Sequence, residues 1–138
     1  MEPVRIRSIL IADDYAPWRE RVGSLLREYA ELQSVSETAD GIEAVQKARE
    51  LRPDLILLDL HLPRLNGIEA AQQIHEAVPD GAILFASMDK DADTVRKTLQ
   101  TGAMGYVLKT DAGSELWPAV LAVLQKKQYL SRGVCSTS

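Results

Sequence analysis

Apolar residues along this chain fall in two rhythms. Short unbroken runs, Ile9-Leu10-Ile11-Ala12, Leu55-Ile56-Leu57-Leu58, Ile83-Leu84-Phe85-Ala86 and Tyr106-Val107-Leu108, alternate with longer stretches whose apolar positions recur every three or four residues. The runs read as strands buried on both faces and the longer stretches as amphipathic helices. Strands are expected over residues 7–12, 32–39, 54–59, 82–86 and 105–108, the second being the weakest. Helices are expected over residues 17–29, from an Asp40 cap to just before Pro53, over residues 68–78, around Val95 and Leu99 as far as Gly102, and over residues 112–128. Asp40 with Glu43 three residues on resembles a capping box, and Pro53 and Pro79 stop their helices.

Strict alternation of strand and helix predicts a parallel sheet with helices on both faces, joined by right-handed crossovers. The expected fold is an α/β, flavodoxin-like, doubly wound (βα)5 three-layer sandwich with strand order 2-1-3-4-5. Strands one and three are then neighbours, and all strand carboxyl ends share one edge. The residues that close the apolar runs are Asp13 and Asp14, Asp59, Ser87 and Lys109. Three carboxylates, a hydroxyl and an ammonium are thus expected in one pocket.

Composition narrows the reading further. A chain of 138 residues with 46% hydrophobic and 26% charged residues suits one globular domain. No apolar run reaches the roughly 18 residues of a membrane span, and no signal-peptide core follows the start, so a cytoplasmic protein is expected. Net charge of −4 argues against this chain itself gripping nucleic acid. The single cysteine, Cys135, has no partner for an internal disulfide, and residues 131–138 read as a mobile polar tail or the start of a linker.

Clustered carboxylates repel unless a cation lies among them. Oxygen donors without a His/Cys cluster suit Mg²⁺. His61, two residues past Asp59, is placed to add its backbone carbonyl, with its imidazole at the pocket rim; His75 reads as a surface residue. An aspartate beside Mg²⁺ and a lysine is equipped to become an acyl phosphate, and Asp59, at the end of the most buried strand, is the candidate nucleophile.

The Asp13-Asp14 pair, the Asp59-Leu60-His61-Leu62-Pro63-Arg64-Leu65-Asn66-Gly67 segment, Ser87, and the Gly102 to Lys109 stretch resemble the receiver domains of bacterial two-component response regulators (CheY-like). The likeness runs from about Ile6 to Lys127, and the wording from Gly105 to Ser131 is most similar to receivers of LuxR/NarL/FixJ-type transcriptional regulators. The resemblance implies a receiver over residues 1–130 and Asp59 as acceptor of a phosphoryl group from a sensor histidine kinase. It implies Mg²⁺ held by Asp14, Asp59 and the His61 carbonyl, with Asp13 acting directly or through water. Lys109 and Ser87 would contact the phosphoryl, Tyr106 would swing inward as a switch, and His61 and Asp89 would tune hydrolysis.

The resemblance also implies a regulatory module with at most slow self-dephosphorylation. Its partners would be the kinase and a second copy, met through the fourth helix, strand five and last helix around Val95, Tyr106 and Trp117. Control of transcription through a following helix-turn-helix domain is the expected output, with a stand-alone receiver as the alternative. Trp18 reads as a packing or partner-surface residue. In receivers the lysine is usually followed by proline, often across a cis bond; here Thr110 follows Lys109, and a cis bond is expected although a non-proline cis bond costs about 2.5–4 kcal/mol. An aspartate-nucleophile phosphatase fits less well, because His61 stands where that class has a second aspartate. A flavodoxin-type cofactor binder would need a phosphate loop where Asp13-Asp14-Tyr15 stands.

Overall fold

The computed structural model describes residues 4–134; Cys135 and the end of the chain lie outside the described residues. In chain order the elements are β1 (Val4–Ile6), β2 (Ile9–Ala12), α1 (Ala16–Arg27), β3 (Ala30–Leu32), β4 (Val35–Thr38), α2 (Gly41–Leu51), β5 (Leu55–Leu58), α3 (Gly67–Ala77), β6 (Ala82–Ser87), α4 (Ala92–Leu99), β7 (Gly105–Leu108), α5 (Ala112–Leu124) and β8 (Tyr129–Leu130). The main sheet is parallel throughout, in the order β4-β2-β5-β6-β7-β8. The flavodoxin-like order 2-1-3-4-5 is present, with one strand added.

Alternation along the strands divides the core. Leu10, Ile56, Leu58, Ile83, Phe85 and Tyr106 face α2, α3 and α4. Ile9, Ile11, Leu55, Leu57, Leu84 and Val107 face α1 and α5. Every residue of β2, β5, β6 and β7 is buried, as two-sided coverage requires.

The first two expected strands, over residues 7–12 and 32–39, begin later, at Ile9 and Val35, and each is preceded by a separate short strand. β1 pairs with β3 as a separate short ribbon. Between β1 and β2, Asp54 Oδ2 accepts the N–H groups of Arg7 at 3.0 Å and Ser8 at 3.2 Å and so withdraws them from the ladder. Asp40 caps α2 by accepting the Glu43 N–H at 2.7 Å, and Asn66 caps α3 through the Glu69 N–H at 2.9 Å.

The end of the chain departs most from expectation. The last helix stops at Leu124 rather than near residue 128, because Lys126 turns the backbone left-handed with φ 64°. The chain then returns to add β8 beside β7, making α5 a crossover helix. Residues 131–134 are docked, not mobile. Ser131 donates its N–H to the Tyr106 carbonyl at 2.8 Å, and Ser131 and Val134 are both buried. Glu115, itself buried, accepts from the Tyr129 hydroxyl at 2.8 Å and from the Arg132 N–H at 3.2 Å. Burial and the Glu115 bond push the Tyr129 phenol up to about 12. The segment is a strap fastened to α5.

No peptide bond among the described residues is cis, so the expected cis Lys109–Thr110 bond is corrected to trans. The chain passes from β7 directly into a 3₁₀ turn over Lys109–Asp111, and without proline nothing offsets the preference for trans.

Candidate functional site

The pocket assembles at the carboxyl ends of β2, β5, β6 and β7. Asp13 is buried and held at four points. Its N–H donates to Thr38 O (3.0 Å) and its carbonyl accepts from Arg19 Nη1 (2.6 Å). Its Oδ1 accepts from Tyr15 N (2.8 Å) and its Oδ2 from Lys109 Nζ (2.6 Å). Asp14, by contrast, is exposed, and among the described residues no hydrogen bond or ion pair holds its carboxylate. Asp59 is buried, with Oδ2 accepting the His61 N–H at 3.3 Å and Oδ1 lying 3.4 Å from Lys109 Nζ. One carboxylate oxygen from each of Asp13, Asp14 and Asp59 lies within 4.8 Å of the others.

Two of the three carboxylates, Asp13 and Asp59, thus share one ammonium, and Asp14 adds a third negative charge beside them. Burial raises the Asp59 carboxyl above its ordinary value; Lys109 opposes the rise and Asp13 adds to it. The donor set is oxygen only, with no sulfur or imidazole among the clustered atoms. An acidic pocket short of positive charge, built of hard oxygens and open at Asp14, has the donor chemistry Mg²⁺ requires.

The loop between α3 and β5 is fixed by Gly67. A Cβ there would overlap the Asp59 carbonyl oxygen, and the Gly67 N–H donates to Leu60 O at 2.8 Å. Only glycine lets α3 approach the acceptor strand this closely.

Ser87 and Tyr106 meet at one place. Ser87 Oγ accepts the Asp89 N–H at 3.1 Å, and the Tyr106 hydroxyl donates to the Asp89 carbonyl at 2.6 Å. Tyr106 is already inside, fully buried and stacked on Phe85 at 6.5 Å, so the expected inward swing has no outward starting point here. Its phenol is pushed up to about 12, first by burial. Asp89 Oδ1 accepts the Asp91 N–H at 2.8 Å, and Asp89 and the exposed His61 line one groove.

The expected dimer-face residues are redistributed. Val95 and Tyr106 are buried in the core rather than presented on a surface. Trp117 stacks on Tyr29 at 5.4 Å on the α1 side of the sheet. Trp18 packs in the core as expected, but its place at the pocket, like that of Arg19, was not foreseen. Arg19 grips the Asp13 carbonyl while its Nε donates to Glu37 at 2.8 Å. Trp18 places its ring 5.2 Å from Lys109 Nζ. Their position in the first turn of the helix after the acid pair was the available signal, since helical side chains lean toward the amino-terminal end.

A profile of the response regulator receiver domain matches residues 9–121, most of the chain. The chain belongs to the response regulator receiver family. Among curated relatives it is 38% identical over 123 residues to the oxygen regulatory protein NreC of Staphylococcus epidermidis, covering 88% of this chain and 56% of that one. It is 36% identical to the transcriptional regulatory protein DegU of Brevibacillus brevis, covering 88% and 52%. This receiver therefore spans about half the length of these relatives. A solved LuxR-family response regulator from Aurantimonas sp. SI85-9A1 superposes with a TM-score of 0.87 at 32% identity, over 96% of this chain and 93% of that one. The receiver is thus of the NarL/LuxR type, a regulatory module rather than an ordinary enzyme. No described helix is long and apolar enough to cross a membrane.

Proposed function

We propose that Asp59 accepts a phosphoryl group from the phosphohistidine of a sensor histidine kinase, in the cytoplasm, with Mg²⁺ bound at the acid cluster. The observation that carries this reading is the cluster of three carboxylates, one oxygen of each within 4.8 Å of the others, with a single lysine pairing two of them, Asp13 and Asp59. Asp14, Asp59 and the His61 carbonyl would hold the ion, and Asp13, already engaged by Lys109 and Tyr15, would reach it through water. Mg²⁺, when bound, neutralises charge on the phosphoryl oxygens.

An Asp59 oxygen attacks phosphorus while the bond from phosphorus to the donor nitrogen breaks. The bonding pair leaves with the imidazole, and an acyl phosphate forms. Lys109 supplies fixed positive charge to the arriving oxygens. Ser87 exchanges the Asp89 N–H for a bond to the phosphoryl, which loosens the loop that Tyr106 also holds. Water then hydrolyses the acyl phosphate slowly, at a rate tuned by His61 and Asp89. The switch would act on transcription through a following domain, as the names of NreC and DegU suggest for those proteins. Self-association would use the α4, β7 and α5 face; β8 covers the β7 edge there, so exposed Arg96, Lys97 and Leu130 are the available contacts.

Intact-mass measurement tests the acceptor. With Mg²⁺ and a small acyl phosphate or phosphoramidate the protein gains the mass of one phosphoryl group, and Asp59→Asn does not. Labelling that survives in Asp59→Asn removes Asp59 from this role.

A further inference from the structure

We infer that Trp18 is a positioning residue for Lys109, holding its ammonium in the acceptor pocket through the indole face; this rests on the phosphoryl-accepting role of Asp59. Lysine has three N–H donors. Two of its contacts are Asp13 Oδ2 at 2.6 Å and Asp59 Oδ1 at 3.4 Å, and no third oxygen accepts from it among the described residues. The Trp18 ring also faces the ammonium, its centroid 5.2 Å from Nζ. That separation is within the range of cation–π attraction.

Local structure fixes the ring there. Tyr15 is the N-cap of α1, Pro17 stands in its first turn, and the Trp18 N–H donates to Tyr15 O at 3.0 Å. Trp18 is 6% exposed and packs with Val22 and Leu26 on the inner face of α1. It also lines the same opening as Asp13, Asp14, Met88, Lys109 and Thr110. Both the site and the core therefore restrain the indole.

The choice of an aromatic group has an electrostatic reason. Lys109 lacks the proline that would stiffen the chain after it, since Thr110 follows. A fourth carboxylate would hold the ammonium but would repel an incoming phosphoryl from a pocket already holding three. An aliphatic side chain would exclude water without attracting charge. The neutral π-face attracts the ammonium and adds no net negative charge, so Lys109 stays in the pocket and remains able to turn toward the phosphoryl.

The test is a substitution cycle in a Trp117→Phe background, so that Trp18 is the sole tryptophan. Trp18→Leu should slow phosphorylation by a small phosphodonor about three- to tenfold at saturating Mg²⁺. Mg²⁺ affinity should change by less than about twofold, and Trp18→Tyr should recover most of the rate. In a Lys109→Met background, Trp18→Leu should add nothing. Trp18 emission should shift on Lys109→Met without any metal or donor. Replacing the tryptophan by fluorinated analogues keeps its shape and should lower the rate as fluorine number rises, which covers the case in which Trp18→Leu folds poorly. Equal slowing in both lysine backgrounds, or no dependence on fluorination, would overturn the inference. If the parent protein takes up no phosphoryl at all, the acceptor reading itself fails, and the emission shift still reports on the Trp18–Lys109 contact.

Discussion

Lys109 Nζ lies 2.6 Å from Asp13 Oδ2 but 3.4 Å from Asp59 Oδ1, so the ammonium leans on the first acid rather than on the acceptor. Asp13 also has its backbone tied on both sides, to Thr38 and to Arg19. The lysine is therefore parked on a fixed anchor beside a freer acid. A phosphoryl on Asp59 would bring additional anionic oxygen to the ammonium and give it reason to change partner. The pocket has few positive charges, and the consequences can be measured.

Removing the ammonium leaves two buried carboxylates unneutralised. Lys109→Ala should lower stability in metal-free buffer by roughly 3 kcal/mol, the usual scale for breaking a buried ion pair. Mg²⁺ should restore much of that loss while leaving the phosphorylation-linked switch blunted. Urea unfolding with and without the ion makes the comparison; an identical loss in both buffers would contradict the charge-deficit account.

The raised carboxyl of Asp59 has a pH signature. A group whose folded value lies above its unfolded value favours folding at low pH, and that contribution is lost as pH rises through the folded value. At neutral pH the ionised Asp59 therefore burdens the metal-free fold. Asp59→Asn should raise the melting temperature by a few degrees at pH 7 without metal, and the difference should fade toward the ordinary aspartate value of about 3.9. Melting curves across that range read the sign directly, and a destabilised Asp59→Asn at neutral pH would reverse it.

Asp14 has a free carboxylate, whereas Asp13 has both oxygens engaged. Asp14→Ala should weaken Mg²⁺ about tenfold or more with little effect on metal-free stability, because removing one anionic ligand costs on the order of 1–2 kcal/mol of binding. Asp13→Ala should lower both together. Titration followed by tryptophan emission separates them; equal affinity in Asp14→Ala and the parent would exclude Asp14 as a ligand.

The strap depends on Glu115. Tyr129→Phe removes one hydrogen bond and should cost about 1 kcal/mol, while Glu115→Ala strands the Tyr129 hydroxyl and the Arg132 N–H and should cost about 2 kcal/mol. Faster hydrogen exchange should appear at the Ser131 amide, which donates to Tyr106 O. Unchanged exchange there in Glu115→Ala would mean the strap is held by Val134 and the β8 ladder alone.

Gly67→Ala forces the α3 amino terminus away from the Asp59 carbonyl. A stability loss of about 2 kcal/mol or more is expected, as for overpacking against backbone, together with slower phosphoryl uptake. Chemical unfolding and intact-mass kinetics measure the two effects, and a neutral substitution would show that the loop can retreat without moving Asp59.

Much of the site was legible because it depends on rules local to the chain. Leu55 to Leu58 can only be a two-sided strand, so Asp59 must stand at its end. Parallel order then brings Asp59 beside Asp13, since β2 and β5 are neighbours in register. The same reasoning placed Ser87 and Lys109. It was blind to how side chains share partners. That Lys109 lies closer to Asp13 than to Asp59, that Asp54 separates β1 from β2, and that Trp18 meets Lys109 are contacts between segments far apart or on different elements.

The chain's order of apolar runs and terminal acids by itself determined the sheet, its strand order through Lys109, and the identity of the pocket. Periodicity and chirality leave few ways to pack such an alternation. Only the tertiary structure decided the fate of residues 125–134, where left-handed Lys126 and buried Glu115 turn an expected helix end and loose tail into a sixth strand and a strap. It also decided the trans Lys109–Thr110 bond and the inward Tyr106. The physical reason is common to these cases: hydrophobic rhythm specifies which faces are buried, while charge partners and polar clasps depend on distances that exist only once the faces have met.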